Sequence, residues 1–144
     1  MKIQSTTSGV TSASAGFIDK NDCTVRALAN AADIPYLVAH RLLEKHGRKL
    51  NRGAYFDTLA AAYKEAGFAL VGVYGTTRPA LYAAYKAGVQ PKEGTTFAKL
   101  LPKLQVGEYI VNVCGHAVAV VNGKVLDTFD NKAGKRVVAV FKRV

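Results

Sequence analysis

Near the C-terminal end of the chain, Asn122-Gly123 separates two β-rich apolar runs, His116-Ala-Val-Ala-Val-Val121 and Lys124-Val-Leu-Asp-Thr-Phe129. Asn-Gly between such runs is the strongest short-range signal for a hairpin, because both central residues of a type I′ turn need positive φ. A two-residue turn fixes the register. Val121 pairs with Lys124, Val120 with Val125, Val118 with Asp127 and His116 with Phe129. Opposed residues share a face, and so do residues two apart on one strand. His116 and Asp127 are therefore expected on one face as diagonal neighbours, with Cα atoms about 7–8 Å apart, within reach of an imidazole–carboxylate contact. A slip of one residue would part them.

The rest of the chain arranges itself around that hairpin. Helical spacing of Val25, Leu28, Ala29 and Ala32 predicts a first helix over 22–32, with Asn21 or Asp22 as its cap. A second is expected over 35–46, opened by Pro35 and closed by Gly47, and a third over 55–66, stopped by Gly67. Residues 68–74 read as a short strand, 78–87 and 96–104 as short helices. Strands are expected over 109–113, 116–121, 124–129 and 136–141. Helices first and an antiparallel sheet afterwards make an α+β fold, with the N-terminal helices packed on the C-terminal sheet.

Domain count follows from size: 144 residues, 49% hydrophobic, suit one domain with a real core. Residues 1–16, polar and rich in Ser, Thr and Gly, read as an extended or flexible lead-in to a single domain over 17–144. That stretch lacks the apolar core of a secretory signal, and no apolar run is long enough to span a bilayer. The expected location is the cytoplasm. Two cysteines allow at most one disulfide and fit a reducing compartment.

Charge is the other bulk property that matters. Twenty Lys and Arg against ten Asp and Glu leave a net +10. Clusters stand at Arg41-Lys45-Arg48-Lys49-Arg52 and Lys132-Lys135-Arg136-Lys142-Arg143. Such an excess attracts anions, including nucleic acid. No zinc-finger spacing and no RNA-binding aromatic signature accompanies it, so these clusters read first as a solvated surface.

Chemistry concentrates on Cys23. A thiol at the head of a helix meets the positive end of the macrodipole and unpaired backbone N–H groups, which favour thiolate. The same N–H groups can donate to an oxyanion forming beside the sulfur. With His116 and Asp127 the chain holds a nucleophile, a base and an orienting group. Asp130 is a second, less well placed acid. Arg26, one turn along the helix, reads as a partner for Asp22. Cys114, at the end of a strand, lacks the helix field and reads as a buried small apolar residue. Two side readings use it: a Cys23–Cys114 disulfide as an oxidative off-switch, and a metal site from Cys23, Cys114, His116 and Asp127, which lacks any close-spaced ligand pair. No cofactor and no metal are expected.

The segments Asn21-Asp22-Cys23-Thr24-Val25-Arg26-Ala27-Leu28-Ala29 and Gly115 to Thr128 together resemble the papain-like cysteine peptidases. The likeness is to compact bacterial and phage forms: leader-peptide-cleaving domains of bacteriocin exporters, NlpC-type cell-wall endopeptidases, and short phage proteins with an Asp-Cys…Arg-Ala-Leu start. It implies a papain-like fold, Cys23 as nucleophile, His116 as general base and acid, and Asp127 as the group orienting the imidazole. Many relatives place a Gln a few residues before the cysteine. Here that stretch is Phe17-Ile18-Asp19-Lys20-Asn21-Asp22, which leaves Asn21 or another donor to stand beside the Cys23 N–H at the oxyanion.

The function expected is a cysteine-dependent hydrolase of peptide, isopeptide or peptidoglycan amide bonds, in the host cytoplasm if phage-encoded. Two alternatives stand beside it. One is a catalytically weak or inactive basic binding protein of phage or mobile-element origin, engaging nucleic acid or an acidic host partner. The other is a thiol acyltransferase or deamidase on the same scaffold.

Overall fold

The computed structural model describes residues 3–4, 21–74, 86, 88–126 and 134–144. Strand β1 is Ile3–Gln4, helices α1 to α3 are Cys23–Ala32, Tyr36–Lys45 and Phe56–Glu65, and β2 is Phe68–Val73. Helix α4, Phe97–Leu100, runs into a 3-10 turn at Leu101–Lys103. Strands β3 (Glu108–Val113), β4 (His116–Val121), β5 (Lys124–Leu126) and β6 (Val137–Arg143) follow. The fold is α+β, as the order of sequence patterns predicts.

Local chemistry sets the helix ends. Gly47 and Gly67 take positive φ (114° and 96°) and close α2 and α3, a conformation that costs glycine little. Pro35 stands one residue outside α2, as its N-cap at φ −58°, rather than as its first helical residue. Apart from Lys86, which is helical, the expected helix over 78–87 lies outside the described residues, as do the end of the strand expected to reach Phe129 and most of the lead-in. From that lead-in, Ile3 and Gln4 pair in parallel with Val125 and Leu126.

Among the described residues the sheet has six strands in the order β1-β5-β4-β3-β6-β2. Every pairing except that of β1 with β5 is antiparallel. The Asn122-Gly123 hairpin has the predicted register over Val121–Lys124, Val120–Val125 and Ala119–Leu126. Both turn residues have positive φ, 50° and 81°.

The sheet is buried on both sides, which the sequence reading did not anticipate. Ile110, Ala117, Ala119, Ala139 and Phe141 pack with α1, α2 and α3. Val111, Val113, Val118, Val120, Val125, Val137 and Val140 pack with Phe97, Leu100 and Leu104 beneath. A strand covered on both faces has no polar side to show. This is why Ala117–Val120 is apolar without alternation.

The two faces differ in side-chain size, and that difference positions the site. Facing α1, β4 presents Ala117 and Ala119, and α1 answers with Ala27, Ala31 and Leu28 among its buried residues. Small side chains on both surfaces let the helix lie close to the sheet. The start of α1 thereby meets the start of β4.

Candidate active site

Cys23 is the first residue of α1, and its thiol is partly buried. His116 is the first residue of β4, paired with Val113 across a two-residue turn at Cys114-Gly115. The structure brings the two together: the Cys23 thiol hydrogen-bonds the His116 side chain and the backbone N–H of Ala117. By strict alternation His116 belongs with Val118 and Val120 on the face away from α1. Contact with both the ring and the Ala117 N–H puts the thiol at the start of β4, and Cys23 packs against the core on the α1 side.

The electrostatics of the thiol are a contest. Burial pushes Cys23 up, because a thiolate loses water there. The His116 hydrogen bond, the His116 charge, the Ala117 N–H and the Arg26 charge push it down. The second set wins, and the thiol sits below its ordinary value.

Neighbours of the thiol are held firmly. Asp22 does not cap α1 with its side chain. Its carboxylate instead accepts from Arg26 Nε at 3.1 Å and from the Tyr36 hydroxyl at 2.9 Å. This corrects the expected capping role of Asp22 and agrees with the Arg26 pairing. The Asp22 side chain therefore does not cover the first-turn N–H groups of α1. The Tyr63 hydroxyl donates to the Thr24 carbonyl at 3.0 Å. Burial raises Tyr63 well above the ordinary phenol value, and a negative charge at Cys23 adds to the rise.

Asn21, the proposed side-chain oxyanion donor, has φ 57° and donates from Nδ2 to the Asn51 carbonyl at 3.1 Å. Its own carbonyl accepts from Arg48 Nη2 at 3.3 Å. Arg48 is only 4% exposed, so this member of the basic cluster is a structural strut and not the solvated surface charge that the sequence suggested. Asp127 and Asp130 lie outside the described residues.

Cys114 departs from expectation. It is exposed, at the first position of the β3–β4 turn, where its N–H donates to the Arg136 carbonyl at 3.0 Å. The chain reverses at Gly115, φ 77°, so no strand runs through to align Cys114 with His116. Both cysteines are free thiols. Among the described residues, no three His, Cys, Asp or Glu side chains come together to hold a metal, and no helix is long and apolar enough to cross a membrane.

Three participants escaped the sequence reading. The Ala117 N–H is a backbone group, and nothing in a residue's identity marks it. Tyr63 and Arg48 lie far from Cys23 in the chain, and a lone Tyr or Arg on a helix or loop reads as ordinary surface until the fold buries it.

No family model, no curated protein and no solved structure matches this chain.

Proposed function

We propose that the protein is a cysteine-dependent amide hydrolase, a peptidase or isopeptidase of papain-like type, with Cys23 as nucleophile and His116 as general base and acid. One observation carries this reading: a partly buried thiol at a helix head, hydrogen-bonded to an imidazole and held below its ordinary pKa.

The steps follow from the groups present. His116 takes the thiol proton, giving a thiolate–imidazolium pair. The sulfur attacks the amide carbonyl carbon, and the oxyanion is met by first-turn N–H groups of α1, that of Cys23 first. Asn21 adds its second amide N–H, the first being committed to Asn51. The C–N bond breaks as the imidazolium gives its proton to the leaving amine. Water, losing a proton to His116, then attacks the thioester and restores the thiol. Asp127 holds the ring in the working tautomer, as the third member of a triad. Passing the acyl group to an amine instead of water would make the same site a transferase.

The test is cleavage of a diverse peptide mixture followed by mass spectrometry, with Cys23→Ala as the matched control. Cleavage by the native chain that the variant loses supports the proposal, and equal cleavage by both removes it. The +10 charge favours a second reading, a basic binding protein with a weak or inactive thiol. Steeply salt-dependent DNA retention, together with a Cys23 no more reactive than Cys114, would be its signature.

A further inference from the structure

Against Asn21, which leads into α1, lies a second feature that the hydrolase reading does not use. The segment between α2 and α3 encloses a cavity of about 390 Å3 whose lining includes Arg48, Lys49, Arg52 and Tyr55. Among the described residues, no acidic side chain lines it. Arg48 is buried, whereas Lys49, Arg52 and Tyr55 are exposed.

This cavity is tied to the thiol through Asn21, two residues before Cys23. Asn21 donates to the Asn51 carbonyl and accepts from Arg48 Nη2. Both Asn21 and Asn51 adopt left-handed φ, 57° and 63°, which asparagine tolerates better than most residues. The lead-in to α1 and the basic loop are thus stitched together. Tyr63, bonded to the Thr24 carbonyl, senses charge at both Cys23 and Arg48.

Arg48, Lys49 and Arg52 line one concave site, and with no acidic side chain among its described lining residues it attracts a negative group. A guanidinium in a protected wall is screened less than one in open water, and it prefers planar two-oxygen acceptors. A nucleic-acid track needs cations strung along a strip with aromatic platforms between them. Here the cations gather around one pocket, joined through Asn21 to the start of the helix that carries Cys23. The geometry points to an acidic peptide substrate, with a carboxylate side chain seated among Arg48, Lys49 and Arg52 while the scissile amide lies at Cys23. This rests on the hydrolase reading and adds its substrate class.

Peptidyl chloromethyl ketones test it. The thiolate displaces chloride, a C–S bond forms as the C–Cl bond breaks, and mass spectrometry reads the adduct at Cys23 against Cys114. The probes carry a single Glu, or Gln in its place, at successive positions from the ketone. At one position the Glu probe is expected to inactivate Cys23 about tenfold faster than its Gln counterpart, the worth of a charge-assisted contact. That ratio falls toward one in a Lys49→Gln/Arg52→Gln variant and stays in Lys124→Gln, an exposed change on β5. A Glu-to-Gln ratio near one at every position overturns the subsite, as does a ratio that survives the double variant. In either case a Cys23 that still reacts faster than Cys114 leaves the hydrolase reading standing. A Cys23 no faster than Cys114 with every probe removes both proposals. Protection of Cys23 by oligothymidylate but not by an acidic peptide overturns the subsite in favour of nucleic acid.

Discussion

The Cys23 thiol and the His116 imidazole share a hydrogen bond although one opens the first helix and the other opens the fourth strand. The expected consequence is selective chemistry. Near neutral pH, iodoacetamide should label Cys23 well ahead of Cys114, by about tenfold or more, because a lowered pKa raises the thiolate fraction. Exposed Cys114 is the internal control. In His116→Ala the lowering contributions of the ring vanish while burial still pushes the thiol up. The pH–rate profile of Cys23 alkylation should therefore move to higher pH, and a profile that stays in place would refute the pairing.

The close approach of α1 to β4 depends on small side chains. Ala119 is fully buried between them. Ala119→Leu should cost about 1–3 kcal/mol by overpacking. The same substitution should slow Cys23 alkylation, since it pushes the helix head away from His116. Urea unfolding measures the first effect and iodoacetamide kinetics the second. A destabilised protein with unchanged thiol reactivity would mean that the helix position does not set the site.

Asp22 joins two elements. Its two oxygens accept from Arg26 and from Tyr36 on α2, and the Asp22 and Arg26 side chains are only 13% and 14% exposed. Tyr36→Phe should cost about 1 kcal/mol, one hydrogen bond. Asp22→Ala should cost more, about 1–3 kcal/mol, because it leaves Arg26 and Tyr36 without that acceptor at once. Denaturant midpoints compared across the two variants decide the order, and an Asp22→Ala cost below that of Tyr36→Phe would contradict it.

The hairpin turn is the remaining mechanical element. Gly123 has φ 81°, and a Cβ there would stand 3.0 Å from the Gln105 amide oxygen, the end of a flexible side chain. Backbone strain, rather than that contact, should dominate, so Gly123→Ala is expected to cost about 1–2 kcal/mol. The Asn122 side-chain oxygen accepts from the Gly107 N–H at 3.0 Å. Asn122→Ala should add a loss of about 1 kcal/mol for that bond. Thermal unfolding of both variants checks the pair, and a neutral Gly123→Ala would show that the turn relaxes.

Much of this architecture is written in short stretches of sequence. Asn122-Gly123 determined the turn and its register, since few residues accept positive φ at two successive positions. Gly47 and Gly67 ended two helices for the same reason, and the period of Val25, Leu28 and Ala32 made α1. Residue type also marked Cys23 and His116 as candidate catalytic groups. What local pattern does not hold is distance between remote elements. Only the tertiary structure decided that the helix head meets the strand start, that Arg48 goes inside, that Cys114 turns out to water, and that the sheet is covered on both faces. Those outcomes depend on which surfaces pack together, and packing is settled by the summed shapes of side chains far apart in the chain, such as the alanines of α1 against Ala117 and Ala119.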